Sequence, residues 1–380
     1  MKSNSFSLYV HWPFCTVKCP YCDFNSYKKT SINTEEWLKG YLKSIETWAS
    51  LYNEKKKISS IFFGGGTPSI MDPEMVIKIL EGIWSFWTPT EGCEISIEAN
   101  PNSVYRNKLK SLKNFGVNRI SVGVQALNDK DLKQLGRDHT LLESLRAIET
   151  IQNIFSNFNL DFIYGRQFQS MSEWEQELSE ILAIGAPHLS LYQLTIEEKT
   201  NFYKLWKRGH LKGMPDENLS SELYFLTGNL CNKKKYINYE TSNYSKKNYF
   251  CQHNLSYWKY EDFLGIGPGA HGRLTINNQK HSSIEISNPE RWLETYLYKK
   301  RPIPKLRPLS EKTVFEEKLI MNMRISEKLP VSWFNKSKLE TKLYYLQKYN
   351  LLKKENNHLV LKKKGKLMLN HLSNELLDCY

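Results

Sequence analysis

Short runs of β-branched and aromatic residues fall at Ser7 to His11, Ser59 to Phe63, Glu94 to Glu98, Arg119 to Val124, Asn159 to Tyr164 and His188 to Thr195, and their composition predicts strands. Between them lie amphipathic stretches with helical spacing: Glu35 to Tyr52, Pro73 to Phe86, Asn102 to Phe115, Asp129 to Leu135, Leu141 to Phe155 and Ser172 to Ile184. Alternation of this kind predicts βα units on a parallel sheet, and six units predict a partial barrel. After about residue 200 the rhythm weakens into an aromatic-rich region, Tyr236 to His271, where Gly265, Gly267, Gly269 and Gly272 imply tight turns. This region reads as an extension that covers or closes the barrel. Pro302, Pro304 and Pro308 mark a linker, followed by helical patterns at Ser310 to Ile325 and Lys336 to Tyr349 and a short strand at Leu359 to Leu361. The expected class is α/β, with a barrel core over 1–235, the extension over 236–300 and a small helical, winged-helix-like domain over 301–380.

Composition changes this picture little. The 380 residues are 40% hydrophobic and 24% charged, within the range of globular proteins. The polar N-terminus and the lack of any long apolar run predict neither a signal peptide nor a membrane span, so the expected compartment is the cytoplasm. The formal charge of +13 raises the question of nucleic acid. The lysines are spread along the chain, in short runs without interleaved aromatics, and read as solvated faces, so no nucleic-acid partner is expected.

The strongest chemical signal is Cys15-Thr-Val-Lys-Cys19-Pro-Tyr-Cys22, three soft ligands in one loop directly after the first expected strand. Three thiolates around an iron-sulfur cluster leave one iron open for a cofactor, whereas a structural zinc site is closed by a fourth ligand, for which His11 is the nearby candidate. Cys19 and Cys22 alone resemble a dithiol oxidoreductase pair. Neither the third cysteine nor the next glycine loop, Gly64-Gly65-Gly66-Thr67-Pro68, is explained by a dithiol. Three glycines let backbone approach a small zwitterionic ligand, although such a run is also common as a plain turn.

Tyr9 through Phe24 and the Gly-Gly-Gly-Thr-Pro segment resemble the radical S-adenosylmethionine superfamily, in its oxygen-independent coproporphyrinogen oxidase-like branch. Ile97 to Pro101, Ser121 to Gln125, Leu135 to His139 and Asp161 to Gly165 extend the likeness over nearly the whole chain. The resemblance implies a 4Fe-4S cluster on Cys15, Cys19 and Cys22, with S-adenosylmethionine chelating the open iron. It further implies that Tyr9, Gly65, Gly66 and Thr67 line the methionine end, that Tyr21 borders the adenine, and that Glu98, Gln125, Arg137 and Asp161 bind polar groups. Salt bridges and helix caps are the plain structural alternatives for the charged members.

Within the branch, coproporphyrinogen III oxidases carry a fourth cysteine two residues after the third and a longer N-terminal segment. Here Phe24 stands in that place, and only fourteen residues precede Cys15. His253-Asn-Leu-Ser-Tyr257-Trp258 and Gly265 to Gly272, which holds His271, resemble the HemW-type heme chaperones. The resemblance implies heme as cargo, a heme-accepting protein that could be membrane-associated, and an electron donor for the cluster. His253 and His271 are candidate axial ligands of heme iron, Tyr257 and Trp258 candidate packing partners of the porphyrin, and Cys251 a second candidate ligand. Arg166 and Gln167 replace the usual Leu-Pro, and Gln252 a usual Arg, which puts the local loop in question. Oxidative decarboxylation of coproporphyrinogen III is the alternative function, and a dithiol oxidoreductase the remaining one.

Overall fold

The computed structural model describes residues 4–52, 55–299, 304–325 and 328–380. Six parallel strands follow one another through crossover helices: β1 (Ser5–Trp12), β2 (Lys57–Gly65), β3 (Pro89–Ala99), β4 (Arg119–Gln125), β5 (Phe158–Tyr164) and β6 (His188–Gln193). Each lies beside the next in sequence order, as consecutive right-handed βα units require. The strand positions alternate in character. Leu8 and Val10, Ile61 and Phe63, Ile120 and Val122, and Leu160 and Phe162 are buried in the outer apolar layer, while Tyr9, Phe62, Ser121 and Asp161, in the opposite phase, line an interior cavity. The period of two thus divides each strand between packing and chemistry.

The crossover helices start where capping chemistry allows. Asn33 and Asp72 accept hydrogen bonds from first-turn amides, and Thr140 with Glu143 and Ser170 with Glu173 form reciprocal capping boxes. The expected helix from Asn102 is shorter in the structure, Arg106–Asn114, because Pro101–Ser103 forms a separate 3-10 turn.

Beyond residue 200 the chain is more regular than its pattern suggests. Glu217–Lys233 is a helix packed on Met171–Ile184, where the Trp174 indole donates to the Thr227 hydroxyl at 2.8 Å. Six further strands extend the sheet: β7 (Ile237–Asn238), β8 (Asn243–Ser245), β9 (Phe263–Ile266), β10 (His271–Ile276), β11 (Gln279–Ile284) and β12 (Lys305–Pro308). The order is β12-β11-β10-β9-β1-β2-β3-β4-β5-β6-β8-β7. The extension therefore continues the sheet at both edges, β7 and β8 beside β6 and β9 to β11 beside β1, and the helix Gln252–Trp258 covers the lumen with His253, Asn254 and Tyr257. The expected proline linker is in part an edge strand: β12 pairs with β11 and ends on Pro308, a position where a missing N–H is tolerated. Pro302 lies outside the described residues.

The C-terminal part has its own apolar cluster, including Leu319, Leu339, Leu343, Leu359, Leu372 and Leu376. Helices Glu311–Arg324 and Lys336–Lys348 flank a three-stranded sheet ordered Leu329–Pro330, His358–Leu361, Leu352–Glu355, a winged-helix arrangement.

Candidate functional site

The cysteine loop is closed by backbone. Phe14–Cys15 pairs in parallel with Tyr27–Lys28, the Tyr27 amide donates to the Pro13 carbonyl at 2.7 Å, and the Cys22 amide donates to the Cys19 carbonyl at 3.1 Å. Cys15, Cys19 and Cys22 are free thiols of intermediate exposure, and all three line one cavity of about 480 Å³. Burial pushes the Cys15 thiol up against a hydrogen bond from Thr67 that lowers it, and burial likewise raises Cys22. Among the described residues no three His, Cys, Asp or Glu side chains gather as the ligands of a single ion would. A cluster makes a different demand, because three of its irons take one thiolate each and the ligands need not converge on a single ion.

The glycine loop fits against this loop for a steric reason. A β-carbon on Gly66 would lie 2.5 Å from the Phe14 carbonyl oxygen, and one on Gly65, whose φ is +109°, would lie 2.4 Å from the His11 ring. The Gly66 and Thr67 amides donate to the Trp12 and Phe14 carbonyls at 2.6 and 2.8 Å, and the Gly65 amide donates to Glu98 at 3.1 Å. Glycine here lets β1, the cysteine loop and the end of β2 touch; the room expected for a ligand at these β-carbon positions is filled by protein.

All nine residues assigned to S-adenosylmethionine line the same cavity as the cysteines: Tyr9, Tyr21, Gly65, Gly66, Thr67, Glu98, Gln125, Arg137 and Asp161. Arg137 reaches across it, donating to Cys19 Sγ at 3.3 Å, the Tyr21 hydroxyl at 3.4 Å, the Gly123 carbonyl at 3.2 Å and Asn100. Its guanidinium is thus already committed to the cysteine loop, a role its sequence position did not reveal. Glu98 is pushed up to about 8 by burial and then by the charge of Asp161, so near neutral pH it is mostly a protonated donor. Burial also raises Asp161, which accepts from the Ser121 hydroxyl at 3.0 Å and the Asn159 amide at 2.6 Å. Tyr9 donates to His11 Nδ1 at 2.9 Å, because His11 Nε2 must donate to the Asn25 carbonyl at 2.9 Å.

Three buried polar atoms of residues on this wall have no protein partner among the described residues, Arg119 Nε, Gln125 Oε1 and Arg137 Nε. Gln125 also takes φ +71° at a register shift between β4 and β5. A strained residue with an orphaned acceptor facing a cavity marks a place for a ligand. The chemistry of the wall, three half-buried thiols beside convergent polar groups, fits a cluster with a polar cofactor next to it.

The heme candidates separate. His253 and Tyr257 line the cavity, but His253 is 0% exposed, with Nδ1 2.9 Å from Ser60 Oγ and Nε2 2.8 Å from the Tyr257 hydroxyl. Burial lowers its pKa to about 3, so the ring is neutral. Cys251 is a buried thiol donating to Glu94 at 3.4 Å and pushed up to about 12 by burial, and it does not line the cavity. Trp258 lies under Arg324 of the C-terminal part, 4.8 Å from ring to guanidinium, and does not line the cavity. His271 is exposed on β10, outside the lining as well. Arg166 is buried against Asp131 and Glu177, outside the cavity.

Sequence reasoning missed Asn100, Arg119, Asn159, Ser190 and Tyr192, all of which line the cavity. Their signal was available: each is a polar or aromatic residue in the inward phase of an otherwise apolar strand, or just past its end.

The model of the radical SAM superfamily matches residues 9–181. The chain is 35% identical to the heme chaperone HemW of Buchnera aphidicola subsp. Schizaphis graminum, covering 99% of this chain and 100% of that one. It is 32% identical to HemW of Haemophilus influenzae, covering 98% of this chain and 97% of the relative. The chain belongs to the HemW family of radical SAM proteins. Among solved structures, the coproporphyrinogen III oxidase HemN of Escherichia coli superposes with a TM-score of 0.82 at 17% identity, covering 98% of this chain and 90% of that one, a likeness of fold. Radical SAM membership brings a 4Fe-4S cluster and S-adenosylmethionine as cofactors. When bound they supply one-electron reductive cleavage of a sulfonium, chemistry that no side chain provides. Among the described residues no helix is long and apolar enough to cross a membrane.

Proposed function

We propose that the protein is a heme chaperone of the radical SAM type, holding a 4Fe-4S cluster through Cys15, Cys19 and Cys22 and delivering heme to an acceptor protein. The observation that carries this reading is the match to HemW relatives from end to end, whereas the likeness to the oxidase is one of fold. S-adenosylmethionine lies in the cavity of the cysteines, its methionine end toward Tyr9, Gly65, Gly66 and Thr67, its adenine toward Tyr21, and its polar groups toward Glu98, Gln125, Arg137 and Asp161. The chain's own residues bind and orient: Arg137 ties Cys19 and Tyr21 to the barrel rim, and protonated Glu98 offers a donor from a site withdrawn from bulk water.

The working division is a core over 1–235, an extension over 236–300 and a C-terminal domain over 301–380. Partners are heme, an acceptor and an electron donor, in the cytoplasm. Anaerobic reconstitution with iron and sulfide, followed by EPR, is the test of the cofactor site. Replacing any one of Cys15, Cys19 or Cys22 by Ala abolishes the reduced-cluster signal, while Cys231→Ala, buried in the core, retains it. With reductant and S-adenosylmethionine, catalytic formation of protoporphyrinogen IX from coproporphyrinogen III would replace the chaperone by the oxidase.

A further inference from the structure

Gln125 keeps its place in the cavity wall against its own backbone preference. Its φ of +71° and the hydrogen bond from the Ala126 amide to the Val124 carbonyl at 3.0 Å make a three-residue turn at the end of β4, a rare and strained form. The turn skips one residue of the ladder, with Gly123 opposite Asp161 and Gln125 opposite Phe162. The Gln125 side chain folds back over Gly123, where a β-carbon would stand 2.7 Å from its Nε2. Strain of this kind persists only where the surroundings over-determine it. Two of the groups that hold the turn face the cavity or its rim. Arg137 donates to the Gly123 carbonyl at 3.2 Å. His139 Nε2 lies 3.1 Å from the Val124 carbonyl oxygen and must donate, because a carbonyl only accepts.

The third support comes from outside the cavity. Two residues after Gln125, the Leu127 amide donates at 2.8 Å to Glu177 Oε1, on the helix Met171–Ile184. Glu177 is buried, and its other oxygen accepts from Arg166 Nη2 at 2.5 Å and from Gln169 Nε2 at 3.2 Å. Arg166 Nη1 in turn donates to the Ile163 carbonyl at 2.6 Å, and Gln169 Oε1 accepts from the Gly165 amide at 2.7 Å. Arg166 Nη2 also reaches Asp131 at 2.7 Å, on the helix Asp129–Gln134. Glu177 therefore joins the ends of β4 and β5, the strands that carry Gln125 and Asp161. Arg166, standing where Leu is usual, supplies the cation without which this buried carboxylate would be uncompensated.

We propose that Arg166 and Glu177 are positioning residues that clamp the Gln125 turn from behind and thereby set the affinity of the cavity for S-adenosylmethionine. The inference rests on the placement of that cofactor against Gln125 given above. Neither Arg166 nor Glu177 lines the cavity, so both act through the Leu127 amide. The atom whose aim they fix is Gln125 Oε1, the acceptor without a protein partner. A turn released from Glu177 relaxes toward regular strand, and losing the skipped residue shifts the register by one, which moves the side chain to the other face of the sheet.

Calorimetric titration of S-adenosylmethionine into the full chain, reconstituted anaerobically, tests the clamp, with iron content and amide hydrogen exchange over 124–128 read alongside. Glu177→Leu removes the acceptor of the Leu127 amide, and Arg166→Leu strands the carboxylate. Each weakens binding at least about fivefold and speeds exchange over 124–128, while iron content stays at the wild-type level. The double variant Arg166→Leu/Glu177→Gln returns affinity to within about twofold of wild type, because a neutral amide oxygen still accepts from Leu127 and no charge is stranded. Wild-type affinity in both single variants, whatever their melting temperatures, would leave the pair a purely structural role and overturn the proposal. A double variant no better than Arg166→Leu does the same, and this comparison stands even where Glu177→Leu fails to fold. Gln125→Ala separates the clamp from the cofactor placement. Weaker binding there, with unchanged binding in the clamp variants, overturns the clamp alone; unchanged binding in Gln125→Ala overturns the placement and the clamp with it.

Discussion

Gly66 stands where a β-carbon would press on the backbone of Phe14, next to the first cluster thiol. Gly66→Ala must therefore displace the cysteine loop. The expected result is a loss of about 1 to 3 kcal/mol in stability and a fall in iron bound per chain after reconstitution, read by thermal melts and iron assay. An alanine variant with full iron content would show that the loop can give way. Arg137 belongs to the same scale. Its guanidinium holds Cys19, Tyr21 and Asn100 together, so Arg137→Ala lowers affinity for S-adenosylmethionine by roughly ten- to a hundredfold, the equivalent of about 1.5 to 3 kcal/mol. Arg137→Lys does not restore it, because an ammonium cannot fork to three separated acceptors. Calorimetry on the reconstituted protein reads both. The identity of these residues was legible in the sequence through cysteine spacing and glycine runs. Their contacts were not, because Arg137 meets Cys19 across 118 positions of chain.

At the scale of elements, a period of two in the strands and of 3.6 in the helices marked the βα units, and the six predicted strands match β1 to β6 within a few residues at their ends. The antiparallel strands β10 and β11 escaped notice because their outer positions mix His271, Ser282 and Ile284, with no clean alternation. At the end of β11, Glu285 is buried and joins two helices to the sheet. It accepts from the Trp48 indole at 2.7 Å, the Trp292 indole at 3.1 Å and the Tyr296 hydroxyl at 2.8 Å. Burial raises it to about 7, with no cation among its hydrogen-bond partners. A carboxyl whose folded pKa exceeds its unfolded one favours the protonated state on folding. Its contribution is full below the ordinary carboxyl range of about 4.3 and is lost as pH rises through about 7. Urea denaturation across this window should show stability falling with pH, and Glu285→Gln should flatten that part of the profile. A Gln variant with the wild-type slope would assign the dependence to other groups.

In the whole molecule, Glu317 is one of the ties between the C-terminal part and the sheet, receiving Arg273 Nε and Nη2 at 2.7 Å each and the Tyr260 hydroxyl at 2.6 Å. The pair is about four-fifths buried. Removing one partner strands the other, so Glu317→Ala should cost about 1 to 3 kcal/mol and loosen the C-terminal part first, read as faster amide hydrogen exchange over 311–324 than over β1 to β6. Uniform exchange across both parts would mean that apolar contact alone holds them. The amino-acid sequence by itself determined the βα order, the thiolate set and the polar residues at strand ends, because each depends on local spacing or on a short motif. Only the tertiary structure decided which histidine is free. His253 and His271 sit in similar glycine- and aromatic-rich surroundings, and their difference arises from Ser60 and Ile284, residues brought beside them by strand pairing and helix packing that no local pattern encodes.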